Sequence, residues 1–275
     1  PPVRLAGEAA GYGDGRQRSL ALAGEDDLIP REYRHGDDLR RVHWRSTARY
    51  GELMVRREEQ PQKARCTVLL DTRGIAYPGA GPDSAFEWAV AGAASTAVHL
   101  LERGFSVRLL TDTGTSVPGP DSAGSFAGGA ESAEAVGLLL DTLAVVDHSE
   151  EEGLSAAYDL VRGGNEGLLI AFFGDLDEEV AAVAGRMRQR SSAAVAFVLD
   201  GDAWMRGPGG IRFSGGQVPV AERLRLLRRA GWTALPVTPG EALADLWRAA
   251  ADRAAAEPQR SAETGAPETA ARGWS

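Results

Sequence analysis

Cys66-Thr67-Val68-Leu69-Leu70-Asp71 is an apolar run of strand length that stops on an aspartate. Its reading decides the fold. A run this apolar, with no alternation, suits a strand buried on both faces, as parallel sheets require. Downstream, Ser84 to Gly104 reads as a helix. It opens on the capping box Ser84-x-x-Glu87 and closes on Gly104. Phe105 to Asp112 is the next strand, followed by a looped region through Gly129 and a helix over Ser132 to Val146. A second capping box, Ser149-x-x-Glu152, predicts a helix that ends at Gly163-Gly164. Gly167 to Asp175 is a central strand, and Asp177 caps a helix to Arg190. Ala193 to Asp200, a helix over Ala221 to Ala230, the strand Thr233 to Thr238 and a helix from Glu241 to Ala256 complete the series. Strands that alternate with helices predict a doubly wound, mostly parallel sheet with helices on both faces. This Rossmann-like α/β domain is expected over residues 64–256. Residues 1–63 form an extended, glycine-bearing lead-in that ends in an arginine-rich segment. Residues 257–275, rich in Pro, Ala, Thr and Glu, read as a disordered tail.

Composition narrows the function. The chain has 275 residues and a net charge of -9, which argues against a general nucleic-acid binder. Cys66 is its only cysteine, so there is no intramolecular disulfide and no cysteine-based zinc site. Arginine almost wholly replaces lysine, a mark of GC-rich coding. No segment has the roughly 20 apolar residues that span a bilayer. The chain opens on Pro1 and not Met, which predicts a piece of a longer protein.

Four strands end in aspartate: Asp71, Asp112, Asp175 and Asp200. Ligands of open α/β sheets bind beyond these strand ends, where carboxylates hold Mg²⁺ or Mn²⁺. Aspartate is equally at home in turns and helix caps, so both readings stand. Around Asp71 the sequence is Asp71-Thr72-Arg73-Gly74-Ile75. A haloacid dehalogenase-type phosphatase needs a second aspartate at position 73 and a downstream lysine. Here 73 is arginine and the only lysine, Lys63, precedes the strand. The stretch resembles the start of the metal-dependent adhesion site of von Willebrand factor A domains, Asp-x-Ser-x-Ser. Both serine positions lack their hydroxyl, at Arg73 and Ile75. A guanidinium there repels a cation. The expectation is a degenerate adhesion site of Asp71, Arg73, Asp112 and Asp175, with no metal or other cofactor. In it Arg73 pairs with Asp71 and also reaches Asp175.

The segment from Arg31 to Arg57 holds eight arginines against four acids. It reads Arg31-Glu32-Tyr33-Arg34-His35-Gly36-Asp37-Asp38-Leu39-Arg40-Arg41-Val42-His43-Trp44-Arg45-Ser46-Thr47-Ala48-Arg49 in its first part. Gly36-Asp37-Asp38 predicts a turn that caps a helix running to Gly51, and Leu53 to Val55 an edge strand. Trp44 and Ala48 form an i,i+4 apolar pair on that helix. This segment resembles the DUF58 signature, approximately R-x-Y-x-x-G-D-x-x-R-x-I-x-W-x-x-x-A-R. The matches are Arg31, Tyr33, Gly36, Asp37, Arg40, Trp44, Ala48 and Arg49, with Val42 for Ile. Together with the following domain, the resemblance covers residues 25–250. It implies the cytoplasmic domain of a bacterial, inner-membrane-anchored protein that works with a MoxR-type AAA+ ATPase, and it brings no catalytic activity.

The segment admits two uses: a clasp in which arginines pair with neighbouring carboxylates, or a partner-binding surface that adds Arg41 and His43 to the matched residues. The expected function is a non-enzymatic interaction module or adaptor, with no catalytic residues, no nucleic-acid partner, and membrane attachment only through an upstream segment. The alternative is a Mg²⁺-dependent adhesion domain or hydrolase that uses the strand-end carboxylates.

Overall fold

The computed structural model describes residues 30–33, 42, 44–56, 64–117, 132–164, 166–205 and 218–263. The chain divides into two units that part between Lys63 and Ala64. In the smaller unit, β1 (Pro30–Glu32) pairs antiparallel with β2 (Met54–Arg56), and the short helix α1 (Trp44–Tyr50) lies between them in sequence. Gly51, at φ 76°, stops α1 and donates its N–H to the Thr47 carbonyl. Thr47 then accepts the Met54 N–H on its Oγ1 at 3.0 Å, which pins the helix to β2.

The larger unit is a six-stranded sheet. Its strands are β3 (Arg65–Leu70), β4 (Ser106–Thr111), β5 (Ser116–Val117), β6 (Glu166–Phe173), β7 (Ser191–Leu199) and β8 (Thr233–Val237). Their order across the sheet is β5-β4-β3-β6-β7-β8, and every pair is parallel except β4 with β5. This is a doubly wound, Rossmann-like α/β fold, as the strand–helix alternation predicts. The short reversed strand β5 falls in a stretch read as loop. A two-residue strand carries no periodic signal.

Side-chain alternation explains the two layers of helix. Cys66, Val68, Leu70, Ile170, Phe172 and Phe197 point into one core, under α2 (Ala85–Glu102), α3 (Ser132–Ala144) and α8 (Leu243–Glu263). Leu69, Leu169, Phe173, Ala196 and Val198 point into the other, under α4 (Ser155–Val161), α5 (Glu178–Arg188) and α7 (Val220–Arg229). Both faces of the central strands are covered, which accounts for their unbroken apolar runs. Each fully buried Phe or Leu contributes about 1.5–3 kcal/mol of transfer free energy. Cys66, the chain's single cysteine, is a buried thiol. A one-turn helix, α6 (Gly201–Met205), follows β7.

Helix starts follow their caps. Ser84 accepts from the Glu87 N–H, and Asp177 accepts from the Val180 N–H. Gly104, at φ 82°, follows the last turn of α2. Two expectations need correction. The Ser149-x-x-Glu152 box caps nothing: α4 begins at Ser155, and its cap position is Leu154, with no side-chain bond. Residues 257–263, read as tail, belong to α8. Their alanine-rich lead supplies enough helix propensity to carry the helix on. The lead-in before Pro30, the loop over 118–131 and the tail from 264 lie outside the described residues.

Candidate functional site

The strand order reverses direction around β3, whose two parallel neighbours, β4 and β6, belong to crossovers of opposite sense. Such switch points open a crevice beyond the carboxyl ends of the strands. Asp71 follows β3 and Gly174-Asp175 follows β6, so both stand at this crevice.

Asp71 is fully buried and Arg73 is 2% exposed. The guanidinium grips the carboxylate bidentately: Nε donates to Oδ1 at 2.8 Å and an Nη2 proton to Oδ2 at 2.9 Å. The Arg73 backbone N–H donates to Oδ1 at 3.2 Å, and the Gly174 N–H donates to Oδ2 at 3.3 Å. Four donors thus meet a group with about four lone-pair positions. Arg73 also donates to the Glu152 carbonyl at 3.1 Å and the Asp175 carbonyl at 2.8 Å. Burial pushes the Asp71 carboxyl up, and the Arg73 guanidinium opposes that shift. Burial draws Arg73 down, but the hydrogen bonds and charge of Asp71 outweigh it and hold the guanidinium protonated.

Gly174 is needed for the approach of the two loops. A Cβ there would meet the Ala76 carbonyl oxygen at 2.4 Å. That carbonyl accepts the Asp175 N–H at 2.8 Å. Tyr77 adds a further tie, its hydroxyl donating to the Asp71 carbonyl at 2.9 Å, and burial pushes its phenol well above the ordinary value.

Asp112 has a separate set of partners. It accepts the Thr72 N–H at 2.6 Å, the Thr72 hydroxyl at 2.5 Å and the Ser149 hydroxyl at 2.5 Å. Ser149 is held there by backbone: its N–H donates to the Thr72 carbonyl at 2.7 Å, and its carbonyl accepts from Gly74 at 2.9 Å. The residue read as a helix cap therefore ties the loop after α3 to the end of β3.

Asp175 departs from expectation. Arg73 reaches its backbone carbonyl and not its carboxylate, which lies 3.3 Å from the Arg223 Nε. Arg223 is 2% exposed. It donates to the carbonyls of Val218 at 2.9 Å, Gly174 at 3.0 Å and Leu199 at 2.9 Å. Burial lowers the Arg223 guanidinium and raises the Asp175 carboxyl, each opposed by the other's charge. Asp200, the fourth strand-end aspartate, accepts the Ala203 N–H and so takes the turn role open to it from sequence. Arg223 was missed from sequence. Its one signal is a charged residue on the apolar stripe of α7, beside Leu224 and Leu227.

The arrangement does not suit a divalent ion. Asp71 has its acceptor positions filled by Arg73 and Gly174, and Asp175 faces Arg223. Among the described residues no three His, Cys, Asp or Glu side chains converge as metal ligands.

In the smaller unit, Arg31 stands opposite Val55 in the β1–β2 ladder, and the Tyr33 N–H donates to the Leu53 carbonyl at 2.8 Å. Trp44, Ala48 and Arg49 lie on α1, which buries none of its residues. Trp44 is 70% exposed and Tyr50 63%. Gly36, Asp37, Arg40, Arg41 and His43 lie outside the described residues.

Comparison with known proteins places part of the chain. Residues 30–159 match the family model described as "Protein of unknown function DUF58". That match spans the arginine-rich segment, Asp71, Arg73, Asp112 and Ser149, and it ends before Asp175 and Arg223. No curated protein matches the chain. Among solved structures, the human COPII-coat protein Sec24c is similar with a TM-score of 0.41 and 10% identity, over 69% of this chain and 32% of that one. The chain thus spans about a third of that protein's length.

Proposed function

We propose that this chain, which carries the DUF58 match over residues 30–159, is a non-enzymatic interaction module in which an arginine has taken the place of a metal ion. The observation that carries the reading is the closed Asp71–Arg73 pair at the switch point. Counted in chain order, the strands run 3-2-1-4-5-6 with the third reversed, and the first ends in aspartate. That arrangement supports a von Willebrand factor A-like domain with a degenerate adhesion site. A fixed cation gives such a site one permanent charge state. Contact with a partner then needs no ion supply and no ligand carboxylate to complete a coordination shell.

The partner in this reading is a MoxR-type AAA+ ATPase, and the chain acts as its adaptor, as the cytoplasmic part of a protein anchored in the inner membrane. No described helix is long and apolar enough to cross a membrane. The test is co-expression with such an ATPase, followed by size-exclusion chromatography with and without EDTA. Co-elution that survives EDTA supports the reading. Co-elution lost on chelation and restored by Mg²⁺, in a buffer without nucleotide, overturns the metal-free site, and absence of a complex in every condition overturns the adaptor role.

A further inference from the structure

We propose that the outward face of α1 is a docking surface for an acidic protein surface that offers an apolar pocket to Trp44. This rests on the interaction-module reading and names the chemistry of its partner.

The geometry begins at Thr47, whose hydroxyl takes the Met54 N–H and fixes which side of α1 faces β2. Residues follow one another by 100° around a helix. Arg45 and Arg49, two positions either side of Thr47, therefore lie on the far side. Trp44 and Ala48 run beside them as an i,i+4 pair. All four are exposed, and Trp44 and Tyr50 are among the most exposed large apolar side chains described. A tryptophan held out on a helix beside two arginines has the composition of an interface anchor, since Trp and Arg dominate binding hot spots.

Charge says what covers it. The segment from Arg31 to Arg57 has eight arginines against four acids, in a chain of net charge -9. An acidic surface is complementary to this local excess. A polyanion such as nucleic acid or an anionic bilayer is a poorer fit. It is long in range, and the chain's carboxylates outnumber its cations to a net charge of -9. These repel an extended anion, whereas a folded partner presents its acid locally. Trp44 also asks for an apolar recess, which a phosphate backbone lacks.

The experiment titrates the full chain into a fluorescein-labelled peptide repeating Glu-Glu-Leu-Leu. A single-stranded DNA oligomer and phosphatidylglycerol-containing vesicles are measured alongside. The expected result is saturable peptide binding, weakened about tenfold by Trp44→Ser and by Arg49→Gln, each with an unchanged melting temperature. Because α1 buries no residue, both variants keep their fold, and Arg49→Lys retains part of the affinity. Equal binding by wild type and both variants overturns the proposal. So does tighter binding to DNA or to vesicles, or self-association of the chain that the same substitutions abolish. A chain that ignores the peptide yet still co-elutes with the ATPase loses this surface and keeps the adaptor reading.

Discussion

Arg73 and Arg223 are equally buried at the same edge of the same sheet, yet they are held in different ways. Arg73 meets a carboxylate fork to fork and closes an ion pair. Arg223 gives its protons mostly to three backbone carbonyls, and its acid, Asp175, stands at 3.3 Å with a side chain 18% exposed. The first is a charge-neutral unit seated where a ligand of this fold would sit. The second is a staple that joins the ends of β6 and β7 to the start of α7. Burial alone therefore does not tell a replaced ion from a structural arginine, whereas the identity of the acceptors does.

The comparison is most easily broken at Asp71. Asp71→Ala leaves the Arg73 charge buried without its counter-ion and should cost about 3–5 kcal/mol, read as a lower urea midpoint. Asp71→Leu/Arg73→Met should recover most of that loss, because both charges go together. Recovery that fails to appear would make Arg73 a staple like Arg223. Next in size is Arg223→Met, expected to cost about 2–4 kcal/mol through three orphaned carbonyls. Here a second change at Asp175 to Leu should recover little, since the carbonyls remain.

Arg73→Met alone should show a pH signature. Without the guanidinium, Asp71 keeps the burial and the neighbouring Asp112 charge that push its pKa up, opposed by the backbone N–H of residue 73. The folded state then binds a proton more readily than the unfolded one, so stability rises as pH falls through the folded pKa. Each unit of elevation returns about 1.4 kcal/mol. Urea midpoints that fall with acid relative to wild type would contradict an unpaired buried Asp71. A smaller effect is expected from Arg73→Ser, which frees Asp71 and adds a hydroxyl. Mn²⁺ at ten to a hundred times its Kd should then stabilise the variant by about 1.4–2.7 kcal/mol and leave wild type unmoved. Trp44→Ser should change stability least, by under about 0.5 kcal/mol, because its side chain is 70% exposed.

The doubly wound sheet was legible because parallel strands covered on both faces must be apolar throughout, as Val68 to Leu70 and Ile170 to Phe173 are. Asp177 and Ser84 were legible as caps because a cap acts within its own turn. Ser149 was misread for the same reason. A serine three residues before a glutamate has one local pattern, and its true partners, Thr72 and Asp112, are distant in sequence. The pairing of Arg73 with Asp71 was legible at a separation of two residues. Its reach to the carbonyls of Glu152 and Asp175 was not fully so, since backbone acceptors leave no mark on sequence.

The lone thiol of Cys66 sits in β3, the strand that ends at Asp71, and is 1% exposed. It makes the protein its own clock. A thiol reagent can react there only while the central sheet is open, so the labelling rate reports how often that happens, with no probe installed. Compared between wild type and Asp71→Leu/Arg73→Met, that rate would tell whether the ion pair slows the opening or only deepens the folded well.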